Sequence, residues 1–211
     1  MAILNAIDSL VSFGGIVIVP LLGFSVLATT LILERLVFWW QITRRQKPLA
    51  QEVVRIYRQD VQTALMKLDQ NRDLPLARIF LAPLELDQPT PEEFRLALES
   101  AGQAEIPILK RFNTLFETVI TVSPLLGLLG TILGLIHAFS SLRIGDLGGM
   151  DNLGVTAGIS EALISTAVGL VVAIVTLLFT NLFRGLYRRQ LALIQEYGGQ
   201  LELIYRKRLT H

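Results

Sequence analysis

Three long apolar runs, separated by stretches too polar to enter a bilayer, organise this sequence. The first extends from about Gly14 to Leu33, the second from about Thr118 to Phe139 and the third from about Val155 to Phe179. A hydrocarbon core of roughly 30 Å takes about 20 apolar residues in a helix, so each run predicts one transmembrane span. Phe38, Trp39 and Trp40 follow the first run, as aromatics at a membrane interface do. At the start of the chain, Ile3, Ile7 and Val11 share one helical face, which predicts a short amphipathic helix on the membrane surface.

The polar stretches carry helical periodicity of their own. Leu49, Val53, Ile56, Val61, Leu65 and Leu68 recur at three-to-four spacing and predict an amphipathic helix, broken at Asn71–Pro75. The segment Pro83–Pro89 is rich in turn residues. Thr90-Pro91-Glu92-Glu93 then supplies an N-cap, a proline at the first helical position and a capping-box glutamate. From Phe94 through Leu98, Ala101, Ile108 and Phe112 the pattern runs on into the second apolar run. It predicts one very long helix, with Pro107 and Pro124 as kinks. The third run likewise continues past Arg184 through Leu186, Leu193, Tyr197, Leu201 and Ile204, interrupted at Gly198-Gly199. Each of those glycines costs about 1 kcal/mol relative to alanine in a helix.

The expected fold is therefore all-α, a three-span helical integral membrane protein with long helices extending into the cytoplasm. Its segments are a periplasmic amphipathic stretch over 1–13, a first transmembrane helix over 14–40 and a cytoplasmic helical region over 41–116. A second transmembrane helix over 117–139, a periplasmic loop over 140–154, a third over 155–182 and a C-terminal cytoplasmic helix over 183–211 complete it.

Composition agrees and charge adds direction. Of 211 residues, 52% are hydrophobic and 18% charged, poorer in charge than a soluble domain. The net charge of +1 hides an asymmetry. Arg35, Arg44, Arg45 and Lys47 follow the first run, Lys110 and Arg111 precede the second, and Arg184, Arg188 and Arg189 follow the third. Only Asp8 precedes the first run, and the loop between the last two has Arg143 against Asp146 and Asp151. The positive-inside rule places the N-terminus outside and the C-terminus in the cytoplasm. No basic residue precedes the first apolar run, so no cleaved signal peptide is expected. Cysteine is absent, which excludes disulfides and thiol catalysis, and two distant histidines make a histidine metal cluster improbable. Phosphate loops, nucleophile elbows and metal spacings are missing, so neither an enzyme nor a cofactor is expected. Basic residues that hug the membrane argue against nucleic acid as a partner.

The last two runs differ from the first in carrying a polar stripe. In the second, Thr121, Pro124, Gly127, Thr131, Gly134 and Ala138 fall on one face. In the third, Gly158, Glu161 or Ala162, Ser165 or Thr166, Gly169, Ala173 and Thr176 do the same. Small residues at this spacing let backbones approach, because lipid offers no hydrophobic drive for helix association. Pro124, Gly127, Gly134, Gly158 and Gly169 are accordingly candidates for helix packing. Glu161 asks for more, since a carboxylate near the membrane centre costs about 2.5–3.5 kcal/mol on insertion scales. Two readings stand for it: a protonated group donating a hydrogen bond between helices, or a group that loads, relays or attracts a cation. Glu34, beside Arg35, reads as an interfacial pair, and His137 as a solvated imidazole at the outer end of its span. Thr131, Ser165 and Thr166 join Glu161 as candidate pore-lining residues, although a hydroxyl cannot hold a proton at accessible pH. If protons cross here, a further titratable group must sit between Glu161 and the cytoplasm, and two spans cannot enclose a pore. A path between subunits, completed by an acidic residue from a partner, is the economical solution.

Two segments resemble a known family. Ser123-Pro124-Leu125-Leu126-Gly127-Leu128-Leu129-Gly130-Thr131-Ile132-Leu133-Gly134 is similar to the second-span motif of the MotA/TolQ/ExbB proton channels. Gly158-Ile159-Ser160-Glu161-Ala162-Leu163-Ile164-Ser165-Thr166-Ala167-Val168-Gly169-Leu170 is similar to their third-span motif. The three-span layout and long cytoplasmic insertion place the likeness closest to the ExbB/TolQ branch, since the flagellar stator MotA has four spans. The resemblance implies a homopentamer in the bacterial inner membrane, in contact with membrane lipid and surrounding a dimer of a single-span partner like ExbD or TolR. It further implies that the partner's transmembrane aspartate carries the proton, and that Thr131, Glu161 and Thr166 are the matching pore positions. A TonB-like or TolA-like protein would receive the work, in TonB-dependent uptake or in envelope maintenance; the motifs are common to both branches. A non-conducting scaffold for the same partner remains the alternative, with a solute transporter behind it.

Overall fold

The computed structural model describes residues 15–140 and 152–209; the expected surface helix at Ile3–Val11 and the loop with Arg143, Asp146 and Asp151 lie outside them. Among the described residues the elements are all α-helical: α1 (Ile18–Tyr57), α2 (Val61–Asp69), α3 (Pro75–Leu84), α4 (Pro91–Leu109), α5 (Asn113–Ser140) and α6 (Asn152–Leu209). The three apolar runs fall within α1, α5 and α6, each long and apolar enough to cross a membrane. The chain is thus an all-α, multi-pass membrane protein. It divides into two compact units, one combining the chain up to Glu34 with Phe112–Asn181, the other Arg35–Arg111 with Leu182–His211.

In the first unit, residues facing away from the other helices are apolar and exposed. Leu163 is 65% and Phe139 68% exposed, an arrangement that suits lipid or a further subunit and does not suit water. Inside, Ala28, Val119 and Val172 pack together with Phe24 and Val168 against them. Thr176 and Thr180 are buried, each donating its hydroxyl to the carbonyl four residues earlier. A hydroxyl paired in this way can face neighbouring helices without an orphaned polar atom.

The second unit has a core of large side chains. Val53 and Tyr57 of α1, Leu68 of α2, Ile79 and Phe80 of α3, Phe94 of α4 and Leu201 of α6 form one buried cluster. Arg78 grips Glu105 with two parallel bonds of 2.6 Å, tying α3 to α4. The Glu105 carboxylate holds the Arg78 guanidinium above its ordinary value. At the N-terminus of α4, Thr90 caps as expected. Its hydroxyl accepts from the Glu93 N–H at 3.2 Å and the Glu93 carboxylate accepts from the Thr90 N–H at 2.7 Å. Those bonds from Thr90 hold the Glu93 carboxyl below its usual range.

Four local expectations need correction. The amphipathic pattern over Leu49–Leu68 is two helices, because Asp60 adopts extended backbone and caps α2 by accepting from Gln62 N–H at 2.9 Å. The turn-rich segment at Pro83 begins later than expected. Pro83 is the buried penultimate residue of α3, so its ring interrupts only the last turn, at the cost of the bond to the Ile79 carbonyl. The single helix from Pro91 through the second span is interrupted. Pro107 cannot donate, α4 ends two residues later, and Phe112 takes φ of +66° before α5 begins. Gly198-Gly199 breaks nothing, since α6 runs through both. Gly198 instead leaves room for Leu98, whose Cδ2 would lie 2.9 Å from an added β-carbon.

Candidate functional site

The stripe of small residues is a seam in which α5 and α6 touch backbone to backbone. A β-carbon built on Gly134 would stand 2.7 Å from the Gly158 carbonyl oxygen and 2.9 Å from the Ala162 nitrogen. One built on Gly158 would meet the Ala138 nitrogen at 2.8 Å, and one on Gly127 the Thr166 Cα at 2.9 Å. At Gly169 the obstacle is the Ser123 carbonyl oxygen at 2.5 Å. Contact positions descend on α5 as they ascend on α6, so the helices are antiparallel. Neither can move away to admit a side chain without losing the whole contact. Gly127, Gly134, Gly158 and Gly169 all lie in this contact. Pro124 is half-buried at the edge, beside the fully buried Ser123.

The structure resolves the two ambiguous steps of the α6 stripe. Ala162 and Ser165 point into the seam, and Ser165 is fully buried. Its hydroxyl donates to the Ala162 carbonyl at 2.9 Å and lies 3.4 Å from the Gly127 carbonyl oxygen. Thr166 stands one position round α6 from Ser165, on the side of the seam it shares with Thr131 of α5, and Glu161 stands one position round from Ala162 on the other side, about 140° from Thr166; all three are half-buried. Thr166 reaches across to α5, its hydroxyl donating to the Gly127 carbonyl at 2.9 Å. In a regular helix that carbonyl also accepts the N–H four residues on, which is Thr131, so the two threonines meet at one turn of α5. Thr131 itself donates to the Leu128 carbonyl at 2.6 Å.

Glu161 lies about 14 Å along the axis from the start of α6, and Thr166 about 8 Å further. Its carboxyl group rests against the backbone of Gly15, just before α1. His137 is exposed near the end of α5. The pattern of residues missed Gly130 and Gly15. Gly130 completes a run of glycines at 127, 130 and 134, and a β-carbon there would collide with the Ser165 hydroxyl and stand 2.5 Å from its Cβ. That three-and-four spacing was available in the sequence. Gly15, in the turn before α1, offered no such signal. No group of three or more potential metal ligands occurs among the described residues.

What this geometry defines is a membrane helical hairpin with a glycine-sealed seam, threonine hydroxyls on one side of it and a carboxyl on the other, inside apolar spans. The sequence model of the MotA/TolQ/ExbB proton channel family matches residues 71–196, and the chain belongs to that family. Among relatives, it is 64% identical over 194 residues to the biopolymer transport protein ExbB-like 3 of Synechocystis sp., covering 92% of each chain. The ExbB-like 1 protein of the same organism is 41% identical over 197 residues, 92% of this chain and 77% of that one. The Tol-Pal system protein TolQ of Haemophilus influenzae is 39% identical over 72 residues, 34% of this chain and 31% of its own.

Proposed function

We propose that this chain is the channel-wall subunit of a proton-driven motor of the ExbB–ExbD or TolQ–TolR type. In this reading it sits in the bacterial inner membrane with its N-terminus periplasmic and its C-terminus cytoplasmic. Five copies surround a dimer of a single-span protein, and the motor energises outer-membrane work such as TonB-dependent uptake. The observation that carries the reading is the placement of Thr131 and Thr166, half-exposed together on one side of a seam too tight to open, with Glu161 half-exposed on the other side of α6. A polar group in an apolar span belongs beside water or a partner, and each of the three keeps part of its surface open to one. Ser165, buried in the seam, supports the wall from behind.

The chemistry divides between the subunits. Hydroxyls at 131 and 166 orient water or a neighbouring carboxyl but do not titrate. Glu161 gathers protons, and a partner's acidic side chain carries them past the threonines. Each elementary charge moved through 100 mV releases about 2.3 kcal/mol, so several protons per step drive a conformational cycle without a nucleotide.

The test uses cells that depend on this copy. Glu161→Gln and Thr166→Val should each abolish function driven by the proton motive force while leaving the assembled complex intact on native gels. Wild-type function in both variants, with the complex still formed, is the outcome a non-conducting scaffold gives.

A further inference from the structure

Gly15 immediately precedes α1 and carries two unrelated constraints. Its φ is +69°, where an L side chain is strained, and its carbonyl accepts from the Ile18 N–H at 3.1 Å to close the turn that opens the helix. Separately, the place where its side chain would stand is taken. A β-carbon built there would overlap Glu161 Oε1 and lie 2.7 Å from Glu161 Cδ and 3.2 Å from Cγ. Real β-carbons do not approach a carboxyl so closely, so the seat exists only because residue 15 has no side chain. By contrast, a β-carbon on Gly23, within α1, would meet nothing within 4 Å.

We propose that Gly15 is a positioning residue for Glu161. The bare backbone before α1 is the floor on which the Glu161 carboxyl lies, and it fixes which way that group faces from α6. Glu161 is otherwise half-exposed and has three side-chain torsions to choose among. A methyl group at position 15 removes the floor's free space and turns the carboxyl into another rotamer. The consequence for proton handling rests on the function proposed above; the steric seat itself does not.

Shortening the acid separates the clash from the backbone strain. Gly15→Ala, Glu161→Asp, Glu161→Ala and the two double variants are made in the full chain. Thermal stability is measured in nanodiscs, and modification of residue 161 by a hydrophobic carbodiimide, where it is still acidic, is read by mass spectrometry. Gly15→Ala should lower the melting temperature and change the rate of carbodiimide modification by about tenfold, the scale of coupling between groups in direct contact. Glu161→Asp or Glu161→Ala in that background should recover the part of the lost stability that the collision causes, because the atoms that collide are withdrawn, while the φ strain remains. If Gly15→Ala alone does not fold, recovery of folding by either second change supports the seat equally. Strictly additive effects, with no rescue by either shortened residue, would overturn it and leave only the φ strain. Failure of the functional reading looks different: non-additivity persists while Glu161→Gln retains wild-type function in cells.

Discussion

Where α5 meets α6, the residues in contact are Gly127, Gly130, Gly134, Gly158, Ala162 and Gly169; where the second unit closes, they are Tyr57, Phe80, Phe94 and Leu201. The first contact brings backbones together, the second interlocks large side chains. The surfaces differ in the same sense. Leu163 and Phe139 lie exposed on the first unit, whereas the second carries ion pairs such as Arg45–Asp73, Lys67–Glu52 and Arg72–Glu85. A helix surrounded by apolar solvent gains nothing by burying leucine, so dispersion between close backbones must hold the pair together. A unit with a charged surface gains its stability from apolar burial, at about 25 cal/mol per Å². The seam has a functional corollary. Because its middle admits only glycine, alanine and serine, the larger polar side chains Thr131, Glu161 and Thr166 stand to either side of it.

The contrast can be broken most severely at the seam. Gly134→Leu should prevent the hairpin from closing and abolish recovery of assembled protein, because the obstacles at 2.7 and 2.9 Å include backbone atoms that cannot swing aside. Gly23→Ala, with open space around it, should leave assembly unchanged on the same gels. The second unit should respond by degree. Phe80→Ala should cost about 3–5 kcal/mol, the range for removing a buried aromatic ring, and should accelerate amide hydrogen exchange in α3. The smallest effect is expected at the cap of α4. Thr90→Ala should cost about 1 kcal/mol and speed exchange in its first turn, with little change elsewhere.

The apolar runs and the Thr90–Glu93 cap were legible because each rests on neighbours in sequence. The seam was legible up to a choice at two steps of α6. A 3.6-residue repeat leaves adjacent positions such as Glu161 and Ala162 nearly equivalent, and only packing on α5 decides which turns inward. That decision matters, since it separates the buried Ser165 from the flanking Thr166. Other features depend on the fold. The break at Phe112 interrupts a periodicity that stays in phase on both sides, so the pattern cannot mark it. The break before α2 was readable from Asp60 as an N-cap, but apolar spacing masks it. Gly15 meets Glu161 only through tertiary structure, and no local rule connects them.

Proton flux is the direct measure of the central claim. The chain would be reconstituted with the single-span protein proposed as its partner in liposomes carrying an internal pH dye, and a potassium diffusion potential applied. Acidification that depends on both proteins, is lost in Glu161→Gln and Thr166→Val, and survives in Gly23→Ala is the result expected of a wall built from the flank of the seam. Equal flux in the Glu161→Gln complex, or none in the wild-type complex that forms and is correctly oriented, would contradict it.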